Sequence, residues 1–156
     1  MRTVLGRSVS QWAVVVLFLT AVTAAGQPVN VTGTWNGRYA IIDRCTNGST
    51  FAYGGAASAA LTQSGSAVTG AIVLQDLVGT NGTTCVPDGR TETLILPFSG
   101  TIAGNTFSGT FVVPEGPSEV VTGSVSATSM SLSFDGKEVT SGTIMLSLTS
   151  SAPPDS

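Results

Sequence analysis

The chain has 156 residues, enough for one domain with a single hydrophobic core. Its formal net charge is −3, and only 10% of its residues are charged, against about 25% in an average soluble domain. The Lys and Arg residues form no cluster, which argues against a nucleic acid partner and against binding to an anionic membrane surface. The sequence contains no His, so catalytic triads and metal sites that depend on imidazole are excluded.

Residues 1–26 have the organisation of a secretory signal peptide, because Arg2 and Arg7 precede an apolar run that ends in small residues. We predict cleavage after Ala25 or Gly26, and hence a secreted or periplasmic protein with no membrane association. Retention as a membrane anchor is the alternative, although the run is shorter than the ~20 residues that span a bilayer. Cleavage would leave four basic and nine acidic side chains and a net charge near −5.

The two cysteines are Cys45 and Cys85. In an exported protein an even pair of cysteines usually forms a structural disulfide, so we predict a bond between them. A free pair is the alternative. A bonded pair would leave no thiol nucleophile for catalysis.

One short pattern, apolar, Ser or Thr, Gly, any residue, apolar, occurs five times and first appears at Val31–Trp35. Each copy alternates apolar residues and glycine with hydroxyl residues, which is the period of a strand with one buried and one solvated face. Alternation along the whole chain predicts eight strands, at 31–42, 58–63, 67–75, 91–102, 106–113, 119–126, 129–134 and 139–149.

The connections between these strands differ in length. Turn signals such as Asn47-Gly48, Gly54-Gly55 and Asn81-Gly82 predict long loops at 43–57 and 76–90. Tight turns follow the second, fourth and sixth strands. The predicted barrel domain covers residues 27–150, and residues 151–156 are predicted to form a flexible tail.

Eight consecutive strands joined by hairpins predict an all-β fold, a single eight-stranded antiparallel up-and-down barrel. A Greek-key β-sandwich is the alternative. In the barrel both long loops lie at one end and the tight turns at the other, so Cys45 and Cys85 fall at the same end. The arrangement resembles a cup with one open end.

Apolar residues are expected on the inner wall near this open end. A barrel of eight strands is either filled by its own side chains or holds one small ligand, and the sequence leaves both possibilities open. The candidate ligand-binding residues are Tyr39, Ile41, Leu74, Leu94, Phe111 and Phe134.

The glycines of the repeated pattern are predicted to be structural. They are Gly33, Gly70, Gly100, Gly109 and Gly123. We expect all five to point inward near the closed end, where missing side chains allow the strands to bend. Trp35 is large enough to fill the resulting space, and we predict that it plugs the base of the barrel.

The segment Gly33-Thr34-Trp35 resembles the G-x-W motif of the calycins, the lipocalin and avidin superfamily of ligand-binding β-barrels. The resemblance implies a barrel fold and a binding role. The chain has no Arg after Arg90, where lipocalins place one across the Trp, and after cleavage it retains only Trp35, whereas avidins use several tryptophans. The ligands of these families therefore cannot be transferred to this chain. Some secreted metalloprotease inhibitors are also lipocalin-like barrels, which keeps a protein partner possible.

The ionisable residues suggest no catalytic mechanism, because they lie mostly in predicted loops and at strand ends. We expect no enzyme activity, no metal and no cofactor. The favoured hypothesis is a secreted binding module that takes a small apolar molecule at its open end. The alternative is an extracellular structural or protein-interaction domain, for example a protease inhibitor, that acts through the long loops. The sequence does not indicate an oligomeric state.

Overall fold

The computed structural model describes residues 29–114, 118–136 and 139–151. These residues form eight strands and no helix. The strands are β1 (Gly33–Arg44), β2 (Thr50–Ser64), β3 (Ala67–Thr80), β4 (Pro87–Ala103), β5 (Thr106–Val112), β6 (Ser118–Val125), β7 (Ser129–Phe134) and β8 (Val139–Ser151). The predicted signal peptide and residues 152–156 of the predicted tail lie outside the described residues.

The strands close into a barrel in which each strand pairs antiparallel with the next. β1 also pairs with β8, where Gly37 lies opposite Leu146. The predicted eight-stranded up-and-down barrel is therefore confirmed, and the Greek-key alternative is wrong. Closure pairs the first strand with the last and so removes the free sheet edges that an open sheet would present.

The core lies inside the barrel and follows from the alternation of side chains along each strand. On β7, Met130, Leu132 and Phe134 are buried and the serines between them are exposed. Trp35 and Phe107 are among the largest fully buried side chains. Among the described residues, no charged residue and no Ser, Thr, Asn or Gln is buried, so the polar groups of the interior are the Tyr39 phenol and the Trp35 indole N–H, both hydrogen-bonded.

The two predicted long loops are wrong. β2 begins at Thr50, β3 continues to Thr80 and β4 begins at Pro87, so the connections are only residues 45–49 and 81–86. The Gly54-Gly55 pair is part of β2 rather than a turn. Gly55 lies opposite Tyr39 on β1, and the Tyr39 ring covers it, which compensates for the missing side chain.

The extra strand length forms two hairpin arms, the first of which stays paired with β8 as far as Asp43. The β2–β3 ladder ends where Ala57 pairs with Leu74. Beyond that point, residues 38–56 form the β1–β2 arm and residues 75–92 form the β3–β4 arm. A bulge follows Leu74, and within it Asp76 has a φ of 58°. Because bulges bend a strand and increase its twist, this irregularity explains why β3 leaves β2 here.

Each of the five pattern glycines lies opposite a buried residue in the strand register, although Gly70 itself is exposed and the other four are half-buried. The pairs are Gly33 with Leu61, Gly70 with Phe98, Gly100 with Val68, Gly109 with Val121 and Gly123 with Leu132.

Phe107 occupies the space that Gly100 and Gly109 leave. A Cβ on Gly109 would lie 2.6 Å from the Phe107 ring, and one on Gly100 would overlap the same ring, which stacks on Phe98 at 4.7 Å. Trp35 is fully buried, and its Nε1 donates a hydrogen bond to the Val31 carbonyl oxygen at 2.9 Å. Trp35 therefore does not by itself fill the space left by the five pattern glycines, which we call the glycine layer. Phe107 is itself the first residue of the pattern copy at 107–111, but the pattern alone did not show that its ring would cover Gly100 and Gly109.

Candidate ligand-binding site at the open end

The connections that follow β1, β3, β5 and β7 lie at one end of the barrel, which we call the open end. The tips of the two arms meet there, and Cys45 and Cys85 form a disulfide between them with a Cα–Cα distance of 5.6 Å. Both cysteines are 6% exposed. The predicted disulfide is confirmed. Cys45 follows β1 and Cys85 follows β3, and connections after odd-numbered strands lie at the same end of the barrel, which explains why two residues 40 positions apart can meet.

The structure brings the six candidate ligand-binding residues together in one hydrophobic cluster. Leu94 is half-buried and lies at its edge. The other five, Tyr39, Ile41, Leu74, Phe111 and Phe134, are at most 5% exposed. These five belong to the packed interior, and Leu94 lies where that interior reaches the open end.

Four half-buried apolar residues, on or next to the adjacent strands β2 to β5, lie toward the open end and pack against the core. We call them the apolar ring: Tyr53, Leu77, Leu94 and Val113. Tyr53 and Leu77 lie in segments predicted to be loops, so the sequence prediction did not include them. The alternation of Phe51 and Tyr53 with small residues on β2 was the signal that could have identified this part of the site.

Aromatic side chains line the inner face of the β1–β2 arm. Tyr53 stacks on Phe51 with ring centroids 5.6 Å apart and meets Tyr39 edge-on at 6.4 Å. The Tyr39 hydroxyl donates a hydrogen bond to the Gln75 carbonyl oxygen at 3.0 Å and so links β1 to β3. This hydrogen bond marks the lower limit of the gap between the arms.

The two tyrosines of this site have raised pKa values. Burial, followed by the charge of Asp43 and a hydrogen bond from the phenol to that carboxylate, raises the pKa of Tyr53 far above its ordinary value of 10.0. Burial and the charge of Asp76 raise the pKa of Tyr39. Both phenols are therefore neutral at physiological pH, and each donates its single proton within the protein, Tyr39 to the Gln75 carbonyl oxygen and Tyr53 to the Asp43 carboxylate.

A cleft of about 610 Å³ lies between the two arms, beneath their joined tips. Its size is within the range of about 300–1,000 Å³ that is typical of ligand pockets. The cleft shares Tyr53 with the apolar ring, and most of its other side chains are polar. It is lined by Asp43, Arg44, Cys45, Thr46, Tyr53, Thr80, Gly82 and Thr83.

The open end brings apolar side chains together with a few polar groups. Within residues 29–114, 118–136 and 139–151, no group of three or more acidic, Cys or His side chains is placed to hold a metal ion. The same residues contain no helix that is long and apolar enough to cross a membrane. The groups that converge are apolar side chains, two neutral phenols and the Asp43 carboxylate, which accepts a hydrogen bond from the Tyr53 phenol.

These features define a disulfide-bonded, closed, eight-stranded antiparallel β-barrel with an apolar ring at one end. No protein-family model, curated protein or solved structure matches the chain. The function is therefore inferred from the geometry of the open end.

Proposed function

We propose that this protein is an exported, non-catalytic binding module that holds a small apolar molecule at the open end of a calycin-like barrel. The observation that carries the proposal is the apolar ring. Tyr53, Leu77, Leu94 and Val113 are half-buried, continuous with the core and contributed by adjacent parts of the barrel wall.

A ligand that covers this ring would remove apolar surface from water. Each 100 Å² of apolar surface buried contributes about 2.5 kcal/mol before the entropic cost of binding is subtracted. The Tyr39 and Tyr53 phenol oxygens, whose protons are donated within the protein, can still accept a hydrogen bond from a ligand and so orient it. An apolar site with a few fixed polar groups is the usual composition of a small-molecule site.

Two further features support the wider proposal. The G-x-W segment lies at the start of β1 and its Trp35 is fully buried, as expected of a calycin-like barrel. The Cys45–Cys85 disulfide fits an oxidising compartment, in keeping with the predicted signal peptide.

The test is a titration of the protein, purified after expression of the full chain, with a neutral apolar fluorophore such as N-phenylnaphthylamine. Leu94→Gln should weaken probe binding about tenfold, because it places an amide in the apolar ring. Ile95→Gln is the matched control: Ile95 is the next residue on β4, faces outward and is 57% exposed. Absence of probe binding, or equal affinity in both variants, would contradict the proposal.

A protein partner bound through the arm tips is the second candidate. The tips are held together by the disulfide and by backbone hydrogen bonds, and they carry Val86, which is 59% exposed. A rigid tip with an exposed apolar residue loses little conformational entropy on binding. Inhibition of a panel of secreted metalloproteases, abolished by Val86→Asp, would favour this role, and no inhibition of any member would count against it.

A further inference from the structure

Between their base, where the Tyr39 hydroxyl donates to the Gln75 carbonyl oxygen, and their tips, the two arms share no strand ladder. The β2–β3 ladder stops at Ala57 and Leu74, and β2 then pairs with β1 while β3 pairs with β4. The cleft of about 610 Å³ occupies the gap between them. In this part of the barrel wall, the sheet is therefore continuous within each arm but interrupted between the arms.

The contacts across the tips are few. The Thr46 N–H donates to the Gly82 carbonyl oxygen at 3.1 Å, and the Asn47 N–H donates to the Thr83 carbonyl oxygen at 3.2 Å. The Ser49 hydroxyl donates to the Thr84 carbonyl oxygen at 3.2 Å. These groups are at the surface, where water competes for each hydrogen bond and the net contribution of each is small. The covalent Cys45–Cys85 bond is the strongest tie between the arms.

We propose that the Cys45–Cys85 disulfide is a redox-sensitive clasp whose reduction separates the two arms and opens the barrel wall above Ala57 and Leu74. The reductant is a dithiol. One of its thiolates attacks a cysteine sulfur and breaks the S–S bond, and its second thiol then displaces the mixed disulfide. The products are two protonated cysteines and an oxidised, cyclic reductant.

The rest of the barrel does not depend on the clasp. Below the arms, the β2–β3 ladder is continuous from the Ala57–Leu74 pair to the Ser64–Ala67 pair. Trp35 pairs with Ala59 in this lower part and is fully buried there. Opening is therefore local, of the kind that small cooperative units of a protein undergo below the threshold of global unfolding.

Limited trypsin digestion detects this opening directly, because the described arms carry three arginines. Arg44 pairs with Thr50 on β2. Because β1 pairs with β8 only as far as Asp43, Arg44 has a strand neighbour on one side only. Arg90 lies in an interrupted part of the β3–β4 ladder, with its side chain 86% exposed. Arg38 is the internal control, since it pairs with both Ala56 and Met145.

The experiment compares oxidised and dithiothreitol-reduced protein, both purified after expression of the full chain, by mass spectrometry of the fragments. Reduction should accelerate cleavage after Arg44 and Arg90 about tenfold and leave cleavage after Arg38 and the Trp35 fluorescence unchanged. The Cys45→Ser/Cys85→Ser double variant should behave as the reduced protein and should not respond to dithiothreitol.

Two results would overturn the clasp. One is unchanged cleavage after Arg44 and Arg90 on reduction. The other is simultaneous cleavage at all three arginines with a red-shifted Trp35 emission, which would mean that the whole barrel unfolds. Trypsin cleavage needs no ligand, so this outcome is independent of the proposed binding function. If the apolar probe fails to bind in either redox state while the two cleavages accelerate, the binding function fails and the clasp stands.

Discussion

At the scale of single residues, Tyr39 and Tyr53 link the structure of the open end to pH. Both phenols have raised pKa values, and the chain contains only these two tyrosines. In the unfolded chain they lose their protons near pH 10, whereas the folded protein retains them. Their contribution to stability is therefore fully present below about pH 10 and is lost as the pH rises above it toward the folded-state pKa values.

We accordingly expect the phenolate absorbance of the native protein to rise only well above pH 10, together with alkaline unfolding. Spectrophotometric titration, with circular dichroism followed in parallel, measures both events. A Tyr53→Phe variant should shift unfolding to higher pH, because the group that favours the unfolded chain at high pH is gone. Two phenols that titrate near pH 10 while the barrel is still folded would contradict the raised pKa values.

The packing of Phe107 over the glycine layer predicts the effect of a single methyl group. In Gly109→Ala the new Cβ would lie 2.6 Å from the Phe107 ring and would overlap the Ser99 carbonyl oxygen. We expect a loss of about 1–3 kcal/mol in the free energy of unfolding, as for other overpacked cores. Gly82→Ala is the control, because no atom lies within 4 Å of its Cβ position. Equal stability of the two variants in denaturant melts would show that the core around Gly109 accommodates a methyl group without strain.

At the scale of secondary-structure elements, the bulge in β3 sets the direction of the β3–β4 arm. Asp76 holds a φ of 58°, which costs an L-residue about 1–2 kcal/mol and is tolerated best by Gly, Asn and Asp. Asp76→Val should therefore reduce the free energy of unfolding by roughly 1–2 kcal/mol, and Asp76→Gly should leave it near the original value. Urea melts measure both, and a stable Val variant would mean that the bulge adopts another conformation.

The strands show which elements could be predicted from the sequence and which could not. β5 and β7 combine strict alternation with Gly-containing or short polar links, and their predicted bounds agree with the structure to within one residue. β2 was predicted too short, because the Gly54-Gly55 pair in isolation favours a turn. The Tyr39 ring over Gly55 is a tertiary contact that overrides this local preference, and it cannot be recognised before the strands are paired.

At the scale of the whole molecule, the closed topology could be predicted because consecutive strands joined by short links pair with each other, and closure leaves no free sheet edge. Connections after odd-numbered strands lie at one end, which places both cysteines there, and the structure confirms their bond. The two arms and the cleft between them were not predicted, because they arise where the β2–β3 ladder stops and β3 bulges. Of the apolar ring, the sequence supplied Leu94 as a candidate ligand-binding residue but not Tyr53 or Leu77, which lie in the arms.

The surface also follows from the composition. With 10% charged residues, the outward positions of the strands are mainly Ser and Thr, and isolated apolar residues such as Val120 and Met145 are exposed among them. Scattered exposed apolar residues are normal in soluble domains. Half-buried apolar side chains pack against the core at both ends of the barrel, and what distinguishes the open end is that two phenol groups accompany them there.

The most direct test of the central claim is methyl-detected NMR of the protein during titration with N-phenylnaphthylamine. The account predicts chemical-shift changes at the methyl groups of Leu77, Leu94 and Val113 in the apolar ring. Val29 and Leu148 are also half-buried against the core, but they lie at the opposite end of the barrel and should not shift. Shifts at Val29 and Leu148, with none at the apolar ring, would contradict it.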